Sequence, residues 1–210
     1  MKSFIKNNHF PQHLVRLVDF VRREFSGLLG TCASKFILAC HGCRIGANFR
    51  VYGRIITQIS NWSSVTIGDN VVLISRRKSN LSGITHPTTL QTMQDGQIKI
   101  GDNVGMSGAV LSARTSIRVG AYTKIGVNVK IYDHDYHSLD YLHRKDGAMD
   151  KLNVRSREVV IGEDVFIGGH SIILKGTRVG DRSIIGAGSV VAGLNIPPDS
   201  RVAGNPARII

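Results

Sequence analysis

The chain has 210 residues, a length that fits one domain or one domain with a modest appendage. Its hydrophobic content of 42% argues against global disorder. Its 23 glycines stand beside only 5 prolines, which indicates repeated tight turns and argues against collagen or a low-complexity linker. Three cysteines are too few for a disulfide framework and indicate a reducing compartment.

The basic charge is concentrated near the N-terminus. Residues 1–60 hold nine Lys or Arg but only Asp19 and Glu24, which is +7 of the total +12. This asymmetry predicts an N-terminal element that faces a lipid headgroup or a phosphorylated substrate, unless the protein is simply basic throughout. No apolar run approaches the roughly 18 residues that span a bilayer, and no apolar segment follows Lys2 and Lys6 as in a signal peptide. We therefore expect a cytoplasmic protein.

The first predicted element is an amphipathic helix, because apolar residues recur at steps of three and four and form one stripe. The stripe comprises Phe10, Leu14, Leu17, Val18, Val21, Phe25, Leu28 and Leu29. Gly27 and Gly30 are expected to end this helix, and a second short helix is expected over residues 32–40. Residues 1–44 are thus interpreted as a basic helical cap over one end of the core. The alternative is that residues 1–40 contact the surface of the inner membrane.

Two short motifs are set aside. Cys40 and Cys43, with Cys32 and His41 nearby, could suggest a zinc site, but adjacent ligands converge poorly on one ion, so buried thiols are expected. The basic run 76–78 has no interleaved aromatic residue, so no nucleic-acid binding is expected.

The main body, residues 45–210, has a period of six. Every sixth position from residue 161 is Ile or Val: Ile161, Ile167, Ile173, Val179, Ile185 and Val191. The residues four places further on are mostly small: Val165, Ser171, Thr177, Ser183, Ser189 and Asn195. A helix would place residues six apart about 240° away from each other around its axis, and a strand needs no glycine at every sixth residue.

A triangular coil of three short strands explains this period. Each branched aliphatic residue points inward, and the glycine that often follows it adopts a corner conformation that a side chain would hinder. One turn takes about 18 residues, so about six to eight coils are expected.

The repeat is interrupted once, after Ile131. Tyr132-Asp133-His134-Asp135-Tyr136-His137 begins a polar segment, and we predict a protruding loop at about 134–157. Long loops on regular scaffolds commonly carry function, although a stretch of this kind taken alone could be merely solvated. An alcohol is a weak nucleophile at pH 7, so acyl transfer to it needs a base, and histidine titrates in the right range.

The segment 161–191 and the ending IPPDSRVAGNPARII resemble the C-terminal half of the hexapeptide-repeat acyltransferases. The similar branch contains maltose, galactoside and nodulation acetyltransferases and the O-acetyltransferases of surface polysaccharides. The resemblance covers about residues 45–210, and AGNPAR is its most specific part. It implies an all-β fold, a left-handed parallel β-helix, assembled as a homotrimer. It also implies acetyl-CoA as the donor, with no metal expected.

The same resemblance assigns roles to individual residues. It makes His134 the general base of a direct transfer in a ternary complex. Beside it, the residues themselves suggest that His137 shapes the acceptor pocket and that either Asp133 or Asp135 orients an imidazole. Coenzyme A is implied to lie between subunits, against the backbone of Gly169, Ala187 and Ala192 and with its phosphates near Arg208.

The sequence departs from the family pattern in two places. Ala192-Gly193 stands where a lysine is usual, and Met106 and Arg114 stand where Asn and Asp bind sugars. We therefore expect an acceptor other than maltose or a simple β-galactoside, most naturally a sugar hydroxyl of an O-antigen or capsule precursor.

Three alternatives stay open. The acceptor could be a small molecule that is not a sugar. The protein could be a zinc lyase of the γ-carbonic-anhydrase type, with His86, His134 and His137 as ligands shared between subunits. It could also be a scaffold without catalytic activity.

Overall fold

The computed structural model describes residues 12–210. The expectations that fall on Lys2, Lys6 and Phe10 lie outside the described residues. The helices are α1 (Gln12–Cys40) and α2 (Gly147–Leu152), and the two 3-10 turns are Arg77–Ser79 and His143–Lys145.

The strands wind into a parallel β-helix in which each full coil contributes one strand to each of three sheets. The first three coils contain β1 (Arg44–Ile45), β2 (Arg50–Tyr52), β3 (Ile56–Ile59), β4 (Val65–Ile67), β5 (Val72–Ile74), β6 (Thr89–Thr92), β7 (Gln97–Ile100), β8 (Gly105–Ser107) and β9 (Val110–Ala113). The next three contain β10 (Ser116–Val119), β11 (Lys124–Ile125), β12 (Lys130–Tyr132), β13 (Val159–Ile161), β14 (Phe166–Ile167), β15 (Ile172–Leu174), β16 (Arg178–Val179), β17 (Ile184–Ile185) and β18 (Val190–Ala192). The incomplete seventh coil contains β19 (Asn195–Ile196), β20 (Arg201–Gly204) and β21 (Ala207–Ile209).

Each strand pairs with the strand three places later in the chain. The first sheet therefore begins with β1, the second with β2 and the third with β3, and each sheet continues with every third strand after that. Only β21 breaks this rule, because it turns back and pairs antiparallel with β20. The triangular coil predicted from the period is confirmed.

The branched aliphatic residues of the period fill the interior. All six from residue 161 to 191 are at most 3% exposed. Five of them stack on an equivalent one coil later, as Ile161 does on Val179, and Val191 lies in the last strand of its sheet. Asn195, which the period predicts to point inward, is exposed. The last coil is one residue shorter than the 18 of a regular coil, so Val179 stacks on Ile196 and not on residue 197.

The glycines after these aliphatic residues are required by the spacing between coils. A Cβ on Gly162 would lie 2.8 Å from the backbone nitrogen of Asp181, and one on Gly168 would lie 2.7 Å from Cα of Ala187. The prediction of a special corner conformation at these glycines is wrong, since left-handed backbone occurs two residues later, at Asp164 and His170.

Helix α1 is continuous, so the predicted break near Gly27 and Gly30 and the separate second helix are wrong. Both glycines lie where the helix meets the first coil. A Cβ on Gly30 would lie 2.6 Å from the carbonyl oxygen of Val51, and one on Gly27 would lie 2.8 Å from the Tyr52 ring. The glycines therefore permit close packing of α1 on β2 and do not end the helix.

The face of α1 that packs on the β-helix is not its apolar stripe. The buried positions of the helix are Gly27, Gly30, Ser34 and Leu38. At 100° per residue they lie roughly 150° around the axis from the stripe, whose described residues from Leu14 to Leu29 are 42–62% exposed. The stripe therefore does not cover the end of the core. The expectation that the helix caps the core through its apolar residues is wrong in this respect. Within residues 12–210, no helix is both long and apolar enough to cross a membrane.

Candidate active site

Asp133 lies where the fourth coil opens into the long loop, and it is completely buried. Its Oδ1 accepts a hydrogen bond from the backbone N–H of Arg114 at 2.7 Å, and its Oδ2 accepts from Thr115 and Ser116, each at 2.7 Å. Two of these donors form the turn between β9 and β10, and the third is the first residue of β10, where the third coil passes into the fourth. They supply the partners that a buried carboxylate requires and fix its orientation.

The imidazole of His134 is fully buried beside this carboxylate, with Nδ1 2.9 Å from Oδ1 of Asp133. Because an ionised carboxylate only accepts hydrogen bonds, we assign the ring proton to Nδ1 and the lone pair to Nε2. Nε2 is itself buried and has no hydrogen-bond partner in the described part of the chain. A fixed ring with a free nitrogen lone pair is suited to accept a proton from a bound hydroxyl.

The backbone of His134 is held by the two ends of the loop. His134 forms an antiparallel bridge with Ser156. On either side, the N–H of Asp135 donates to the carbonyl of Arg155 at 3.1 Å, and the N–H of Arg157 donates to that of Asp133 at 2.8 Å. The candidate base therefore sits in a closed neck, not in the projecting part of the loop.

Of the two carboxylates that the sequence left open, Asp133 forms the hydrogen bond with the imidazole of His134. Asp135 forms an ion pair with Lys175, which follows β15. Its other oxygen, Oδ2, is buried without a hydrogen-bond partner in the described residues.

His137 points away from this neck, and its side chain is 71% exposed. Its Nδ1 lies 2.6 Å from Oδ2 of Asp150 in α2, and Oδ1 of Asp150 accepts from the N–H of Ser138 at 2.7 Å. The hydrogen bond from His137 is the main cause that lowers the pKa of Asp150 below its ordinary value. His137 thus ties the start of the loop to α2 and has no hydrogen bond to His134.

Sequence reasoning missed the role of Tyr136 and Gln91. The Tyr136 ring centroid lies 4.3 Å from that of His134, and its hydroxyl donates to Oε1 of Gln91 at 3.2 Å. Gln91 also accepts from Oγ of Ser112 and donates to Oε1 of Gln58, both at 2.6 Å. These polar side chains connect the third sheet to the imidazole. No sequence signal marks them, because Gln58 and Gln91 lie on outward positions of their strands, which the period does not distinguish.

The residues expected to meet coenzyme A follow the outside of the last coils. Gly169 and Ala187 occupy the same corner in successive coils, and Arg208 pairs in the seventh coil with Ala203, which stands one position before that corner. Ala192 lies apart from them, at the far end of β18. The structure thus brings three of the four residues to one edge and places the fourth across the third sheet.

The cysteine and histidine groupings are separated in the structure. The expectation of buried thiols is wrong for Cys32 and Cys40, which are exposed, whereas Cys43 is half-buried and burial raises its pKa. Among residues 12–210 no group of three or more His, Cys, Asp or Glu side chains is placed to hold a metal ion, so His86, His134 and His137 do not converge within one chain.

Comparison with known proteins agrees with this fold. The family described as bacterial transferase hexapeptide (six repeats) matches residues 158–193. WbbJ of Escherichia coli (strain K12), named as a lipopolysaccharide biosynthesis O-acetyl transferase, is 32% identical over 156 residues, covering 72% of this chain and 74% of WbbJ. YvoF of Bacillus subtilis (strain 168), named as an acetyltransferase, is 36% identical over 94 residues, covering 45% of this chain and 46% of YvoF.

Solved structures share the architecture. AntD, an N-acyltransferase from Bacillus cereus in complex with dTDP and 3-hydroxybutyryl-CoA, has a TM-score of 0.63 and 20% identity over 84% of this chain and 87% of AntD. The hexapeptide-repeat containing acetyltransferase VCA0836 from Vibrio cholerae has a TM-score of 0.50 and 26% identity over 85% of this chain and 78% of that protein.

The chain forms a parallel coil of period six with one interrupted turn, and its match with WbbJ, which is named as an acetyl transferase, extends over most of both chains. The chain belongs to the hexapeptide-repeat acyltransferase family.

Proposed function

We propose that the protein is an acetyl-CoA-dependent O-acetyltransferase that acts on a sugar hydroxyl during synthesis of an O-antigen, capsule or similar surface polysaccharide. The observation that carries the proposal is the buried Nε2 of His134, which has no partner among the described residues while Nδ1 is held by Asp133. The identity shared with WbbJ supports O-acetyl transfer to a surface glycan, and the acyl-CoA bound to AntD supports the donor.

In this proposal His134 acts as the general base. The acceptor hydroxyl gives its proton to Nε2 as its oxygen bonds to the acetyl carbon, and His134 returns the proton to the sulfur when the carbon–sulfur bond breaks. Asp133 keeps the ring in the required tautomer and stabilises the positive charge that the ring transiently carries. Acetyl-CoA supplies the activated thioester, so no serine or cysteine nucleophile is needed and transfer is direct.

The edge formed by Gly169, Ala187 and Arg208 is our candidate for the donor site. The two small residues leave the corner open to an extended chain, and the exposed guanidinium of Arg208 suits the nucleotide phosphates. Ala192, across the third sheet, lies toward Lys175 and Asp135, so a donor that follows this track would approach His134 with its thioester.

Several finer features of the assembly are part of the same proposal. Residues 45–210 form the acyltransferase domain, wound left-handed and assembled as a homotrimer with the donor between subunits, and His137 borders the acceptor pocket. Residues 1–44 form a basic helical cap. The protein is cytoplasmic, and the exposed apolar stripe of α1 supports contact of residues 1–40 with the inner-membrane surface.

The experiment that tests the function is thiol release from acetyl-CoA in the presence of candidate sugar acceptors, with mass spectrometry of the product. His134→Ala is expected to lose at least about 100-fold in turnover, the usual contribution of a general base. His41→Ala removes a histidine remote from the loop and should keep full activity. Full turnover by His134→Ala would overturn the mechanism, and no thiol release with any sugar would overturn the acceptor class.

A further inference from the structure

A cleft of about 1410 Å³ lies between α1 and the connection from β5 to β6. One wall is formed by α1 residues between Asp19 and Ala33, and the other by residues between Ser75 and Pro87 together with Gly53 and Arg54. No residue of the loop 134–157 lines it, so it is separate from the candidate active site.

The cleft is lined by cations that lack counter-charges. Five basic side chains border it against one acid, Asp19: Arg22, Arg23, Arg54, Arg76 and Lys78. Within residues 12–210, none of the five forms an ion pair. Arg76 donates from Nη1 to Oγ of Ser26 at 3.0 Å, which joins the two walls without neutralising the charge. A phosphate group would supply the missing anion.

Large apolar side chains border the same cleft. Phe25, Leu29 and Leu81 line it and are 61%, 56% and 92% exposed. Apolar surface of this extent beside unpaired cations favours a ligand that is both anionic and hydrocarbon-rich. A phosphorylated lipid carries both an anionic group and a hydrocarbon chain. A nucleotide sugar carries phosphates but has no hydrocarbon chain to cover the apolar side chains.

Strand β6 links the cleft to the candidate active site. Pro87 lines the cleft just before the strand begins, and Gln91, near its end, accepts the hydrogen bond from Tyr136 beside His134. Four residues of extended chain span roughly 13 Å. A ligand held by its phosphate in the cleft could therefore extend along β6 toward Nε2 of His134.

We propose that this cleft binds the phosphate and adjoining hydrocarbon of a lipid that carries the acceptor sugar. This inference rests on the proposed function and specifies its acceptor as a lipid-phosphate-linked glycan. Arg76 and Lys78 hold the phosphate, Phe25, Leu29 and Leu81 contact the hydrocarbon, and the sugar lies along the outer face of β6.

The test measures binding of farnesyl monophosphate, a short isoprenoid phosphate, to the full chain in the absence of acetyl-CoA and below the aggregation limit of the probe. Arg76→Gln combined with Lys78→Gln is expected to weaken binding by about thirtyfold, the effect of two cations near an anionic lipid group. The matched control combines Lys99→Gln with Arg201→Gln, which removes two exposed cations outside the cleft and should change binding less than twofold.

Two further probes identify the source of the phosphate. Farnesol, which lacks the phosphate, and uridine diphosphate glucose, which lacks the lipid, should each bind at least tenfold more weakly than farnesyl monophosphate. Equal or tighter binding of the nucleotide sugar, equal effects of the two double variants, or no binding of farnesyl monophosphate would overturn the proposal. Because no acetyl group is transferred in this assay, a failure of the acetyltransferase mechanism would be seen separately, as absent thiol release with intact lipid-phosphate binding.

Discussion

The hydroxyl of Tyr136 donates a hydrogen bond to Oε1 of Gln91, although the two residues are 45 positions apart. Since the Tyr136 ring lies against His134 and Gln91 lies on β6, this bond joins the candidate base to the outer face of the third sheet. The acceptor sugar that is proposed to lie along this face would contact Gln91 near the candidate base.

Gln91→Ala should therefore weaken acceptor binding more than the chemical step. Loss of one neutral hydrogen-bonding group is worth about 1 kcal/mol, so we expect the acceptor KM to rise about five- to tenfold with kcat changed less than threefold. Steady-state kinetics with a varied acceptor measure both. Gln97→Ala, at an exposed position of β7, is the matched control and should leave both constants unchanged. A fall in kcat at constant KM would contradict a binding role.

Asp133→Asn should impair both folding and catalysis. The amide has one acceptor oxygen, and its NH2 group would face backbone N–H donors that now bond to the carboxylate. We expect a loss of about 2–4 kcal/mol in the free energy of unfolding, measured with urea, and at least about a 100-fold loss in kcat. Asp164→Asn, on an exposed left-handed corner where asparagine is well tolerated, should be close to wild type in both measurements. Near-normal stability of Asp133→Asn would show that the three N–H bonds contribute little.

Gly30→Ala and Gly147→Ala should shift the melting temperature in opposite directions. The new methyl group at Gly30 meets the carbonyl oxygen of Val51 at 2.6 Å, whereas nothing lies within 4 Å of a Cβ at Gly147 in α2. Crowding at the first position is expected to destabilise by about 1–3 kcal/mol, and the second should gain up to about 1 kcal/mol in helix propensity. Calorimetry measures the melting temperatures of the two variants. Equal shifts in melting temperature would mean that α1 is not closely packed on β2.

The contact between His137, at the start of the loop, and Asp150, in α2, should be lost in acid. The pKa of Asp150 is lowered in the folded protein, so its contribution is present above the ordinary carboxyl pKa of about 4 and is lost as the pH falls through the lowered value. Between pH 5 and 7 we expect Asp150→Asn to be cleaved by trypsin within the loop faster than wild type, with the difference measured by timed proteolysis. Only at a pH below the lowered pKa of Asp150 should an acid-active protease cleave both at similar rates. Equal rates at neutral pH would show that the His137–Asp150 contact does not order the loop.

The stripe of α1 should bind membranes through its apolar side chains. Leu17→Ser combined with Val21→Ser leaves the charge unchanged and should reduce partitioning onto anionic vesicles at least about thirtyfold, because each side chain buried in the interface is worth about 1.5–3 kcal/mol. Co-sedimentation measures the partitioning. Both residues are exposed, so thermal unfolding should be unchanged. If the variant bound vesicles as well as wild type, the basic charge and not the apolar stripe would account for membrane binding.

The interior of the β-helix could be predicted from the sequence because each coil repeats the same steric requirements. Ile167 and Ile173 are buried for the same reason, and position in the period is enough to identify them. The packing of α1 could not be predicted in this way. Its apolar stripe suggested the contact face, but the shape of the first coil selects the face where Gly30 allows close approach.

The candidate site was predictable in part for a related reason. His134 and Asp133 stand at the interruption of the period, which marks them in the sequence. Gln91 reaches them only through the stacking of strands that are far apart in the chain, and no local pattern reports that contact.

The carboxylate of Asp133 is bound by three N–H groups at the junction of the third and fourth coils, so the orientation of His134 depends on how these coils stack. The imidazole acquires its orientation only when two successive coils have docked, so a chain that has collapsed without stacking holds every catalytic side chain and still lacks a base. During refolding, recovery of turnover should therefore coincide with completion of the stack, and a partly wound protein would be inert toward acetyl donors in the cell.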